Sequence, residues 1–134
     1  MTTDAPPARS PLRIATLALG AFFTLQALGW IFTPARAAAR LGMPLLDGVG
    51  RSTQAGDFGA FFLVTGVIML VGTRPGRAHL LYFPALLIGT AAILRIWAWL
   101  VHGAAFAGLF IIVELITAGV LMRAARELGE PSAR

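Results

Sequence analysis

Four apolar stretches, each close to the length of a bilayer, dominate this chain, and only short segments rich in arginine, proline and glycine separate them. Crossing about 30 Å of hydrocarbon at 1.5 Å per residue takes roughly 20 mostly apolar residues. Residues 12–33, 55–73, 80–101 and 104–122 reach or approach that length. They consume most of the 134 residues, so no separate soluble core can be built from what is left. The expected fold is all-α: one integral membrane four-helix bundle over residues 12–125, running up-down-up-down. Proline-rich residues 1–11 read as a disordered tail and residues 126–134 as a C-terminal tail.

Composition agrees. Hydrophobic residues make up 57% of the chain and charged residues 13%, against roughly 25% charged in soluble domains. All 11 basic residues are arginine and the formal charge is +5, which raises the question of nucleic acid. Position argues against nucleic acid as a partner. The arginines lie mostly between apolar runs, where the headgroups of a lipid bilayer are the natural counterions. The chain has no cysteine, which excludes disulfides, thiol nucleophiles, iron-sulfur clusters and cysteine-based zinc sites.

The breaks between spans have recognisable chemistry. Arg74-Pro75-Gly76-Arg77 puts a fixed φ before a permissive residue and flanks both with charge, the pattern of a tight turn between antiparallel neighbours. His102-Gly103 is a second, weaker break, required because an unbroken helix over 80–122 would be about twice as long as a bilayer accommodates. Pro84 predicts that the third span begins near Tyr82 or bends there. In the long first connection, Pro34 suits a helical first turn, and 35–41, with Arg36 and Arg40, reads as a short helix along the membrane surface, ended by Gly42 and Pro44. The alternative there is an irregular loop.

Arg9 and Arg13 ahead of an apolar run, with Ala35-Arg36-Ala37 after it, also fit a secretory signal. A signal core is 7 to 15 residues, shorter than this run of about 20, so a retained helix is expected. Arginine placement sets the expected topology. With the N-terminus inside, Arg9, Arg13, Arg74, Arg77, Arg123, Arg126 and Arg134 are cytoplasmic and Arg36, Arg40 and Arg51 external. This favours both termini inside, in a multi-pass protein of the cell inner membrane, with Trp30, Trp97 and Trp99 toward the outer interface.

Ionisable residues inside a membrane cost a few kcal/mol each near its centre, so they persist mostly when paired or useful. Counted from the outer helix ends, Asp57 falls about 5 Å deep, Arg95 about 9 Å and Glu114 about 15 Å, with Gln26 near the depth of Arg95. The simplest arrangement sets the Arg95 guanidinium between the two carboxylates. Such a cluster would carry one net negative charge and could hold a proton on Glu114 or a cationic ligand. Equally, the three groups could only neutralise one another and lock the helices, with Asp57 a helix-start residue near the N-terminal dipole.

Arg95, Trp99 and His102 share one helical face and would line the outer mouth, unless His102 is only a loop residue. His79 and His102 are separated by roughly 34 Å of helix and cannot ligate one haem or metal ion. No metal site and no resident cofactor is expected. Asp57 and Glu114 have the composition of an acid/base pair, but no nucleophile elbow, phosphate loop or Ser/His/Asp set accompanies them. No catalytic residue is assigned. Gly56 and Ala60, with the glycines at 59, 66, 103, 108 and 119, read as small residues allowing close helix approach, and Phe58, Phe61 and Phe62 as lipid-facing or core fillers.

Phe32-Thr33-Pro34, then Ala38-Ala39-Arg40-Leu41-Gly42-Met43-Pro44, then Arg51 with Gly56 and Gly59, Arg95 and Glu114 follow one another in an order that resembles the DoxX-like group of small four-helix membrane proteins. Within it the chain looks most like a bacterial family known only as a domain of unknown function. The resemblance runs from about Leu12 to Met122. It implies a four-helix membrane bundle in which Arg51, Arg95 and Glu114 hold the characteristic polar positions. Members of the wider group are linked to quinol-oxidase or other redox complexes, and cysteine-bearing relatives to thiol chemistry, which a chain without cysteine cannot perform.

The leading functional expectation is a non-catalytic inner-membrane protein. Its outer-half cluster of Asp57, Arg95, Glu114 and Gln26, flanked by Trp99, His102 and Arg51, would bind a small amphipathic molecule such as a quinone or lipid, or dock a larger membrane complex. Glu114 and Arg95 at depth also fit a proton-coupled transporter or channel element, which in so small a chain implies a homo-oligomer. A membrane enzyme using Asp57 or Glu114 as acid/base is the third possibility.

Overall fold

The computed structural model describes residues 10–129. Tail residues 1–9 and 130–134, with Arg9 and Arg134 of the topology count, lie outside the described residues. The described chain forms helices α1 (Pro11–Phe32), α2 (Pro34–Arg40), α3 (Gly48–Gly72), a 3₁₀ turn (Ala78–Leu81), α4 (Tyr82–His102) and α5 (Gly108–Glu127), with no strand among the described residues. Four of these helical segments are long and apolar enough to cross a membrane. Each also turns large apolar side chains outward, including Leu25, Val64, Leu86, Ile93 and Ile112. A chain apolar on the outside as well as the inside is solvated by hydrocarbon, and these features mark a multi-pass membrane protein.

Several boundaries move for physical reasons. Pro11 is the first residue of α1, where a missing N–H costs nothing, so it belongs to the helix and not to the tail. Pro34 plays the same part in α2, which is helical as expected. α3 begins at Gly48, well before the apolar stretch begins at Ala55. Its first two turns are polar, and Asp57 therefore lies roughly 14 Å along the helix, too far from the start to serve as an N-terminal residue. α4 starts at Tyr82 behind the 3₁₀ turn, with Pro84 in the first turn, where N–H groups have no helical partner anyway. The break after His102 is firm: Gly103 adopts φ 66° and the Ala104 N–H closes back on the Ala98 carbonyl at 3.2 Å. α5 begins later than the apolar run and extends to Glu127, whose carboxylate takes a 2.6 Å bond from Arg123 one turn earlier.

The helices associate as two pairs. α1 packs chiefly on α3, and α4 chiefly on α5. Between α1 and α3 the backbones approach so closely that a Cβ on Gly66 would lie 2.6 Å from Thr24 Oγ1 and 2.7 Å from the Thr24 backbone nitrogen. Hydrocarbon gives helices no hydrophobic reason to associate, so such close dispersion contact is what holds a pair together. The two pairs meet around a core of Thr16, Met69, Leu81, Ile88 and Leu121, all fully buried. The 3₁₀ turn closes this end, with Leu81 against Gly72 of α3 and Ala78 near Gly129 beyond α5.

Gly66→Ala is expected to destabilise the protein by about 1–3 kcal/mol, because the neighbour is backbone and cannot yield. Gly119→Ala, whose added methyl meets nothing within 4 Å, is expected to be neutral or stabilising. Reversible unfolding in mixed micelles measures both.

Candidate functional site: a chamber between the helix pairs

Away from the core the two pairs separate and enclose a chamber of about 680 Å³, within the 300–1,000 Å³ typical of small-molecule sites. Every helix contributes to it. α1 supplies Phe22, Phe23 and Gln26, α2 supplies Arg40, and α3 supplies Asp57, Phe58, Phe61 and Phe62. α4 supplies Ile88, Ala91 and Arg95, and α5 supplies Leu109, Phe110, Val113 and Glu114. Ile88 belongs to the core as well, so the chamber is floored by packed side chains. The lining residues with the largest exposure lie mainly on α1 and α5: Phe22 at 53%, Leu109 at 75% and Val113 at 52%. Phe62 on α3 and Ile88 on α4 are buried, whereas Asp57 on α3 and Arg40 on α2 are exposed like Phe22, Leu109 and Val113.

Two of the expected site residues meet directly. Arg95 Nε donates to both Glu114 oxygens, at 2.8 Å and 3.1 Å. The side chains are 38% and 16% exposed, respectively. The Phe110 ring sits 4.9 Å from the guanidinium carbon, adding a cation–π contact. Pairing is what allows both charges to remain at depth. The Nη groups of Arg95 make no hydrogen bond to protein among the described residues, so the guanidinium keeps free donors beside the chamber.

The expected three-way cluster does not form. Asp57 lines the same chamber but has no ion pair and no hydrogen bond among the described residues, because Arg95 is committed to α5 and does not reach α3. Gln26 is met instead by Arg40, whose Nη1 donates to its Oε1 at a long 3.4 Å. Arg40 went unrecognised in the sequence because it reads as a surface arginine facing headgroups. Its signal was the helical phase of α2: Ala37 and Ala38 pack inward against α1 and hold the short helix across the mouth. With Arg40 counted, two guanidinium groups balance two carboxylates, and the net negative charge expected from Asp57, Arg95 and Glu114 alone is corrected to zero.

The remaining expected residues are elsewhere. Trp99 is half-exposed and packs against Phe106 at 5.0 Å between ring centroids. His102 is the exposed last residue of α4. Neither lines the chamber, so the expected aromatic and imidazole mouth is not built. Arg51 clasps the start of α3, bonding Asp47 Oδ1 at 2.6 Å and the Leu46 carbonyl at 2.9 Å. Beside it, buried Gln54 accepts from the Leu46 N–H at 2.8 Å and donates to the Pro44 carbonyl at 3.0 Å, fixing the loop that delivers α3. Trp30 is 3% exposed and stacks on Phe58 at 5.1 Å, so it supports the chamber wall and is not an interface residue. Phe58, Phe61 and Phe62 line the chamber, and none of the three is a lipid-facing residue alone.

No group of three or more metal-binding side chains occurs among the described residues. Comparison with protein-family models, with curated proteins and with solved structures gave no match.

Proposed function

We propose that this chain is a non-catalytic protein of the cell inner membrane that binds a small amphipathic molecule, a quinone or a lipid, in the chamber between its helix pairs. One observation carries the reading: a largely phenylalanine-walled space at membrane depth that also presents the unpartnered Asp57 and the free donors of Arg95. Apolar walls with a few converging polar groups are the usual form of a small-molecule site. Phenylalanine offers flat, polarisable surface to a ring or an acyl chain. The lining side chains Phe22, Leu109 and Val113 are exposed to the apolar surround, which suits a ligand that arrives from the bilayer.

A transport path through one chain finds less support, because Met69, Leu81, Ile88 and Leu121 fill the bundle beyond the chamber. Acid/base catalysis by Glu114 finds less support too, since both its oxygens accept from Arg95. The resemblance to the DoxX-like group fits a small membrane bundle with this polar set and adds no reaction.

For orientation, the described arginines favour an up-down-up-down crossing with both termini in the cytoplasm: Arg13, Arg74, Arg77, Arg123 and Arg126 at one end, Arg36, Arg40 and Arg51 at the other. The chamber mouth then faces outward.

Protein extracted in mild detergent is expected to carry a stoichiometric small amphiphile detectable by mass spectrometry, and Ala91→Trp, which fills the chamber, is expected to lose it. A protein that carries nothing, or an Ala91→Trp variant that carries as much, contradicts the proposal. Because the chain lacks cysteine, single replacements report topology without background. Arg77→Cys is expected to react with impermeant maleimide only after the membrane is opened, and His102→Cys in intact cells; the reverse pattern contradicts the orientation.

A further inference from the structure

Arg40 and Asp57 line one chamber, carry opposite charges and do not touch. No ion pair joins them within 4.0 Å, and the only protein bond of the Arg40 guanidinium among the described residues is the 3.4 Å contact to Gln26. Arg95 and Glu114 by contrast neutralise each other's charge. The chamber therefore offers one nearly uncommitted cation and one uncommitted anion from different helices, α2 and α3.

Both groups are exposed at the chamber, and its formal charge is balanced, so a ligand with net charge would leave one of them without a counter-charge. A head carrying both charges answers both. A guanidinium matches a phosphodiester as a bidentate donor, and a carboxylate is matched by an ammonium that can donate hydrogen bonds. A trimethylated ammonium cannot donate, and the rings that could cage one are partly engaged. Phe58 stacks on Trp30, and Phe110 sits over Arg95.

From these observations, and resting on the ligand-binding reading above, we infer that the chamber is specific for a zwitterionic amphiphile with a phosphodiester and a primary amine, the headgroup chemistry of phosphatidylethanolamine. The phosphate lies at Arg40 and the ammonium at Asp57. The free donors of Arg95 face the ester oxygens, and the acyl chains run along the phenylalanine wall past the exposed Phe22 and Leu109.

The test uses full-length protein, delipidated in detergent and re-equilibrated with equal amounts of dioleoyl-phosphatidylethanolamine, -phosphatidylcholine and -phosphatidylglycerol, with retained lipid read by native mass spectrometry. Wild type is expected to retain the ethanolamine lipid roughly tenfold or more over the other two, the effect of one charge-assisted hydrogen-bonded contact. Asp57→Asn is expected to abolish that preference and shift retention toward the glycerol lipid, Asp57→Glu to restore much of it, and Arg40→Gln to lower retention of all three phospholipids. Ala91→Trp separates the two readings. If it loses every lipid while wild type shows no headgroup preference, or Asp57→Asn keeps the wild-type preference, the headgroup assignment falls and the chamber remains a binding site. If Ala91→Trp retains lipid as wild type does, both fall. Displacement of the lipid by equimolar glycerophosphoethanolamine would make a water-soluble zwitterion the ligand and overturn the lipid assignment.

Discussion

An ionised group at membrane depth must find its answer inside the protein, because hydrocarbon supplies none. The Arg95–Glu114 pair is that answer for the α4–α5 half of this molecule. Both partners sit on the same helix pair, so the pair closes one seam and leaves the other half of the bundle free to stand apart. The α1–α3 half is held differently, by glycine-mediated backbone contact at Gly20 and Gly66 and by stacked aromatic rings. Two pairs, each sealed internally and joined through a packed core at one end, leave a chamber at the other.

That chamber depends on elements outside the long helices. Pro34 starts a short helix that carries Arg40 to the mouth, and the Gln54 and Arg51 bonds fix the loop from which α3 departs. Because α3 begins with polar turns before its apolar stretch, Asp57 stands well inside the helix, opposite residues of α1 and α2. The formal charge that looks unbalanced in Asp57, Arg95 and Glu114 is balanced once Arg40 is included.

Much of this was legible in the residues. Hydropathy and the Arg74-Pro75-Gly76-Arg77 and Gly103 breaks set the four long helices, and Pro34 announced α2. Depth counting puts Glu114 about 6 Å and Asp57 about 4 Å from the level of Arg95, both within reach of its long arm, and so does not choose between them. What escaped was lateral information. Depth does not tell which helix an arginine arm turns toward, so the residues alone group Asp57 with a cluster it does not join. Apolarity marks where a helix enters hydrocarbon and not where it begins, so the polar first turns of α3 and the place of Asp57 along it are hidden from hydropathy. Trp99 and His102 share a face with Arg95 on paper, yet the helix end and Phe106 draw them away from the chamber. Arg40 lay in a segment whose charge was explained by headgroups, and only the packing of Ala37 and Ala38 reveals where it goes.

A double-mutant cycle at Arg95 and Glu114, measured as unfolding free energy in bilayer-like micelles, tests the central claim most directly. Arg95→Met and Glu114→Leu are each expected to cost about 2–3 kcal/mol, the penalty for a charge left alone at depth. The double variant is expected to cost far less than their sum, giving a coupling of about 1–3 kcal/mol. Strictly additive effects would mean that the two charges do not answer each other, and would contradict the account.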